Sequence, residues 1–244
     1  MSYLTLLGTG TCQIEHERRA SSVLLELDHT PILFDCGHGI VQRLLEVGIQ
    51  HNQLEHIILS HFHPDHVSDL IPLLQAGAWS QQNPRHVDLN IYGPPGVTRF
   101  ITSLLDLFGA NGLRQPKAYQ IHIHEITDNR FSIGKQNFEF LSLPPAGNHG
   151  LRFRWHDKTY AITGDSHFHA QEINLLSGVD VGIIDAGHIS DQEIIELAIA
   201  TQARQIICSH LYRQLDSQQL QTQAQHGGYT GTIQIGHDLL SLLL

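Results

Sequence analysis

The chain has 244 residues, enough to bury a sizeable core as one large α/β domain or two small ones. Lys plus Arg number 14 against 24 Asp plus Glu, and the formal net charge of −10 excludes a general electrostatic attraction to nucleic acid. No apolar run approaches membrane-spanning length, and the three scattered cysteines (Cys12, Cys36, Cys208) form no Cys-x-x-Cys pair, so a soluble protein of the reducing cytoplasm is expected.

Tyr3 to Leu7 is predicted as a strand, too soon broken by Gly8 and Gly10 to be a signal peptide. Gly8-Thr9-Gly10-Thr11 reads as a turn, because it lacks the glycine spacing and the lysine of a nucleotide loop. Ser22 to Leu27 and Pro31 to Phe34 are two strands joined by a tight turn, and a helix from Ile40 to Val47 stops at Gly48. Asp35 stands between them with two readings: a plain cap, or a carboxylate that fixes the orientation of an imidazole behind a metal.

An apolar stretch, Ile57 to Leu59, then runs into His61-Phe62-His63-Pro64-Asp65-His66 and a helix from Val67 to Ala76. A lone histidine says little in a chain with 19 of them. Four ligand-type side chains within six positions say more, since burying them without a metal is costly. His61 and His63, two apart in an extended loop, point the same way, while Asp65 and His66 face a second point where the chain turns into the helix. That pattern suggests two adjacent metal ions.

Leu89 to Tyr92 is the next strand, broken at Gly93-Pro94-Pro95-Gly96 before a helix from Thr98 to Leu107. Tyr119 to Leu143 alternates as antiparallel strands do, with His122 and His124 on a solvated face. A loop over 144–150 carries His149, and two strands follow, Leu151 to Trp155 and Lys158 to Ile162, the latter ending in Thr163-Gly164-Asp165-Ser166. Val181 to Ile184 runs into Asp185-Ala186-Gly187-His188, Ser190 caps a helix from Gln192 to Ala200, and Gln205 to Cys208 ends in Ser209-His210. Strands and helices alternate without a linker, so one domain over 1–244 is expected. His61, His149, Asp165, His188 and His210 all lie just past strand ends, as a shared site at one sheet edge requires.

This set resembles the metallo-β-lactamase superfamily: the His-x-His-x-Asp-His run, then His149, Asp165 and His210 in matching order. The resemblance implies an α/β fold, a four-layer αβ/βα sandwich. It implies that His61, His63 and His149 bind a first metal, that Asp65, His66 and His210 bind a second, and that Asp165 bridges them. Leu7-Gly8-Thr9-Gly10-Thr11, Phe34-Asp35-Cys36-Gly37, Leu59-Ser60-His61-Phe62-His63, Asp69-Leu70, Tyr92-Gly93-Pro94-Pro95-Gly96 and Gly187-His188 are similar, within the superfamily, to the ribonuclease Z group and the related cyclic-ribose phosphodiesterase. By that likeness His188 lies near the scissile phosphate and protonates the leaving oxygen. Residues 97–143 hold no protruding basic arm of the ribonuclease Z kind.

The expected activity is therefore hydrolysis of a small or cyclic phosphodiester by a hydroxide held between two metals about 4 Å apart. Zinc suits the imidazole-rich set, with manganese as the alternative. Asp65 orients the hydroxide as well as binding metal, His188 is the general acid, and Asp35 is the supporting carboxylate. Processing of transfer RNA 3′ ends is the less favoured reading, since the chain is acidic and armless, and a lactonase or thioesterase shares the same ligands. The resemblance also points to a homodimer, with no membrane partner.

Overall fold

The computed structural model describes residues 1–108, 113 and 116–244; residues 109–112 and 114–115, within the stretch expected to lack an arm, lie outside the described residues. The chain divides into two compact units, Met1–Ile126 with Asp238–Leu244, and Thr127–His237, each considered by itself.

The first unit runs β1 (Tyr3–Gly8), β2 (Ser22–Leu27), β3 (Thr30–Phe34), α1 (Ile40–Glu46), β4 (His56–Ile58), α2 (Pro64–Val67), α3 (Leu70–Trp79), β5 (Leu89–Gly93), α4 (Val97–Leu107) and β6 (Ile121–Glu125). The second runs β7 (Arg130–Ile133), β8 (Gln136–Leu143), β9 (Asn148–Trp155), β10 (Lys158–Ile162), α5 (Ala170–Leu176), β11 (Val181–Asp185), α6 (Asp191–Thr201), β12 (Gln205–Ser209), α7 (Ser217–His226) and β13 (Thr232–Ile235). The chain then returns to the first unit with β14 (Leu240–Leu243).

Each unit is built on one mixed, seven-stranded sheet, in the orders β14-β1-β2-β3-β4-β5-β6 and β13-β12-β11-β10-β9-β8-β7. The pairings follow one scheme twice. β14 to β3 and β7 to β10 are antiparallel, while β3 to β6 and β10 to β13 are parallel. Parallel strands need crossover helices, and their carboxyl ends converge on one edge, which is where side chains that do chemistry gather.

The cores follow from this. Ile57 and Ile58, on opposite faces of β4, are both fully buried, so the strand reads as a continuous apolar run rather than an alternating one. On the helix-bearing face of the first sheet Leu33, Ile57 and Ile91 pack with Leu44, Leu70, Leu74 and Ile101. In the second unit Ile184, Ile206 and Cys208 pack with Leu175, Ile194, Leu197 and Leu220. The antiparallel half of the second sheet carries a ladder of rings across four strands, Phe131, Phe138, Phe153 and Tyr160, with centroids 5.2, 5.5 and 5.2 Å apart.

Asp238, just before β14, is a tie point. Its carboxylate accepts from Thr9 N and Thr9 Oγ1 at 2.9 and 2.8 Å, from Arg19 N at 2.8 Å and from Arg43 Nη2 at 3.1 Å. These bonds hold the β1–β2 loop and α1 to the returning segment.

The structure departs from expectation at two places that bear on the site. The helix predicted over 67–76 is broken at Ser68 and Asp69, because the Asp69 carboxylate accepts from Val41 N at 3.0 Å and the chain turns to let it. His149, predicted in a loop, lies within β9, where it pairs with Ser142.

Candidate active site

In the first unit, β4 is flanked by β3 and β5, and Leu59 N extends the ladder by donating to Tyr92 O at 2.9 Å. The chain then leaves the sheet. His63 is extended (φ −64°, ψ 147°) and precedes Pro64, whose fixed φ and missing N–H suit the first position of α2. Thus His61 and His63 lie on an extended segment, and Asp65 and His66 on the helix that follows.

Asp35 organises these groups. Just past β3, with φ +63°, its carboxylate accepts from Ser60 N at 2.7 Å, from Ser60 Oγ at 2.8 Å and from His66 Nδ1 at 2.8 Å. Ser60 Oγ has a single hydrogen, which goes to Asp35, so its contact with His61 Nδ1 at 2.9 Å requires the imidazole to be the donor. Both rings are thereby set in one tautomer, with the lone pair on Nε2. Asp35 thus bonds an imidazole, His66, together with the serine beside His61.

His61 Nε2 stands 2.9 Å from His63 Nδ1. Two imidazole nitrogens on one tetrahedral ion, each at about 2.0–2.1 Å, stand roughly 3.3 Å apart, so this donor pair fits a divalent cation with little adjustment. The His61 and His66 rings are 4.3 Å apart, and His66 Nε2 lies 3.9 Å from Asp65 Oδ2. All of these groups except the half-open His63 are buried.

In the second unit, His149 stacks on Phe140 with centroids 4.7 Å apart, and its Nδ1 approaches Gly147 O at 3.3 Å. Asp165 follows β10, where its N–H donates to Asn148 Oδ1 at 3.2 Å, and its Oδ1 lies 3.3 Å from His210 Nδ1. His210 comes just after β12 with φ +54°. Gly187 N and His188 N donate to Asp185 Oδ1 at 2.8 and 3.1 Å, and His188 Nδ1 donates to Oδ2 at 2.6 Å. One atom each of Asp185, His188 and His210 lies within 4.8 Å of the others. The buried Asp185 thus holds His188 with Nδ1 as the donor.

The first unit therefore carries His61, His63, Asp65 and His66, and the second carries His149, Asp165, His188 and His210. Two groups had no role assigned from sequence: Ser60, next to His61, and Asp185, which ends β11 as Asp35 follows β3. A carboxylate at a strand end, three positions before a histidine, is the signal that the sequence offers for Asp185. His122 and His124 lie on β6, where His122 Nε2 is 3.0 Å from Asp88 Oδ2 and His124 Nε2 is 3.0 Å from Asn90 Oδ1.

Comparison with known proteins supplies the context. Residues 30–222 match the family described as "Beta-lactamase superfamily domain". Ribonuclease Z of Streptococcus uberis is 35% identical over 141 residues, 57% of this chain and 44% of that protein; the chain spans less than half the length of the curated relatives it matches. Among solved structures, the metallo-beta-lactamase fold protein YhfI from Bacillus subtilis superposes with a TM-score of 0.82 at 21% identity, covering 99% of this chain and 98% of that one. A diphosphatase from the PhnP family superposes with a TM-score of 0.76 at 18% identity, over 100% and 98% of the two chains. At these identities the two structures speak for the fold. No helix among the described residues is long and apolar enough to cross a membrane.

Proposed function

The chain belongs to the metallo-β-lactamase superfamily of hydrolases, and from that premise we propose that it is a two-metal phosphodiesterase acting on a small or cyclic phosphodiester. In this reading residues 1–244 work as one cytoplasmic domain, paired as a homodimer. His61, His63 and His149 would hold one divalent ion and Asp65, His66 and His210 a second, with Asp165 available to both. Zinc suits the nitrogen-rich donors, with manganese as the alternative. Such ions supply the charge that offsets the phosphate and lower the pKa of water from 15.7 to about 7.

The protein's own groups do the rest. The Asp35–Ser60 relay keeps the His61 and His66 lone pairs pointed outward, so the site needs no tautomer change to bind its ions. Asp65 orients the attacking water. His188 carries a proton on Nε2 to the departing oxygen, and the Asp185 carboxylate, 2.6 Å from Nδ1, stabilises the imidazolium before transfer.

This Asp185–His188 pair is the observation that carries the phosphodiester reading. An alkoxide leaving a diester needs a proton, and a half-exposed, carboxylate-backed imidazole is built to give one. His188→Ala is expected to retain metal and to lose about 10²–10⁴-fold in rate on diesters with poor leaving groups, but far less with p-nitrophenolate. Equal losses for both would remove His188 from this role.

A second reading, a transfer RNA 3′-end endonuclease, draws support from the 35% identity to Ribonuclease Z. It would require RNA binding that weakens steeply with salt. The deciding assay is hydrolysis of bis(p-nitrophenyl) phosphate by metal-reconstituted protein, with p-nitrophenyl acetate and a lactone in parallel. Chelator-sensitive turnover of the diester alone is expected. Turnover of the carboxylic esters alone would overturn the phosphodiesterase reading in favour of a lactonase or thioesterase.

A further inference from the structure

His188 sits on an irregular segment between β11 and α6, and no regular ladder fixes it. Besides the Asp185 carboxylate, the dipeptide Tyr212-Arg213, just past β12, holds it. The Arg213 guanidinium donates from Nη1 to Ala186 O at 2.8 Å and from Nη2 to Ile189 O at 2.9 Å, the carbonyls on either side of Gly187-His188. Asp191 Oδ1, in the first turn of α6, accepts from the same Nη2 at 2.7 Å and fixes the guanidinium plane. Only a fork with donors in fixed geometry can hold both carbonyls at once.

Tyr212 acts on the rings themselves. It meets the His188 ring at 5.6 Å and 81°, and the His210 ring at 5.5 Å and 76°, while the two imidazoles stack on each other at 5.2 Å and 25°. Two edge-to-face contacts from one phenol define the planes of both imidazoles. The fit leaves no slack: a Cβ at Gly187 would lie 2.7 Å from Tyr212 Cδ2 and overlap the His210 carbonyl oxygen. Gly187 has ordinary backbone torsions, so it is space that this position demands.

We propose that Tyr212 and Arg213 are positioning residues that lock the proton donor His188 to the ligand His210, Tyr212 by setting both ring planes and Arg213 by clamping the carbonyls around His188. The proposal rests on the roles given above to His188 and His210. It makes the two residues separable. Tyr212 touches both rings and governs metal affinity and proton transfer together, whereas Arg213 reaches only the His188 segment and governs proton transfer alone.

Two readouts test this. One is zinc affinity of metal-free protein, by competition with a chromophoric chelator. The other is the ratio of rates on bis(p-nitrophenyl) phosphate and diphenyl phosphate, a good and a poor leaving group. Tyr212→Leu is expected to weaken zinc binding by about tenfold or more and to widen the rate ratio; Tyr212→Phe, which keeps the ring, preserves both. Arg213→Gln widens the ratio at unchanged zinc affinity, and Arg213→Lys, which reaches one carbonyl, recovers part of it. Wild-type zinc affinity and rate ratio in Tyr212→Leu would overturn the role of Tyr212. Parallel losses of zinc affinity and of both rates in Arg213→Gln would overturn that of Arg213, reducing it to general support. If His188→Ala does not widen the ratio, the proton-donor reading falls instead, and the zinc affinity of Tyr212→Leu still decides whether Tyr212 positions His210.

Discussion

His63→Ala is expected to take metal binding and hydrolysis away together, leaving the protein at the level of a chelator-treated sample. His61 Nε2 and His63 Nδ1 stand 2.9 Å apart, a spacing suited to one ion, and without His63 that ion would keep only His61, His149 and the shared Asp165 of its proposed ligands. Asp35→Ala reaches the same ligands from behind. Its carboxylate is 2% exposed and receives three hydrogen bonds, from Ser60 N, Ser60 Oγ and His66 Nδ1. Alanine strands those donors in a dry interior at about 1–3 kcal/mol each, less what relaxation recovers, so a net loss of roughly 3 kcal/mol is expected in urea unfolding. It also releases the tautomers of His61 and His66, which should weaken zinc binding by about 10–100-fold. A variant with both quantities near wild type would refute the orienting role of Asp35.

Glu172→Gln is expected to stabilise the protein, and by more as the pH rises. Glu172 lies in α5 with no exposed surface, and neither of its oxygens makes a hydrogen bond of ordinary geometry. Burial, and then the neighbouring Asp185, push its carboxyl up to about 8 from an ordinary 4.5, against a smaller pull from the Ser166 hydroxyl. Between those two values the folded protein keeps a proton that the unfolded chain has released. Stability is therefore intact below about 4.5 and lost progressively as the pH climbs towards 8. Glutamine has nothing to ionise. At pH 7 the gain should be on the order of 2–3 kcal/mol, shrinking to nothing near pH 4.5. A pH-independent difference between the two proteins would mean that Glu172 is not held neutral by its surroundings.

The strand ends were the legible part of this sequence. Apolar runs that stop at Asp35, His61, Asp165, Asp185 and His210 mark carboxyl ends of strands in the structure, because buried strands leave a continuous hydrophobic signature and the polar residue after them ends it. The break between α2 and α3 was not legible. It depends on Asp69 reaching Val41 N, 28 positions earlier, and nothing in the local period of 67–76 records that bond. Asn148-His149-Gly150 has the composition of a turn, which predicts a loop at His149. Pairing with β8 overrides that preference. Ser60, Tyr212 and Arg213 lie in irregular segments and Asp185, at the end of β11, bonds into one, where no periodicity exists to read.

The sheet of the first unit is completed by β14, which pairs with β1 from Tyr3 to Leu6 only after the whole of the second unit intervenes in the chain. During synthesis this has a cost. β1, with Leu4 and Leu6 among its residues, is an apolar strand with an open edge, the kind of surface that templates pairing with other nascent chains. At about 5–20 residues per second, its natural partner, together with the Asp238 tie to Thr9, Arg19 and Arg43, emerges on the order of ten seconds after the rest of the first unit. The first unit thus leaves the ribosome with one hydrogen-bonding edge uncovered, and β14, translated only after the second unit, is the strand that closes it.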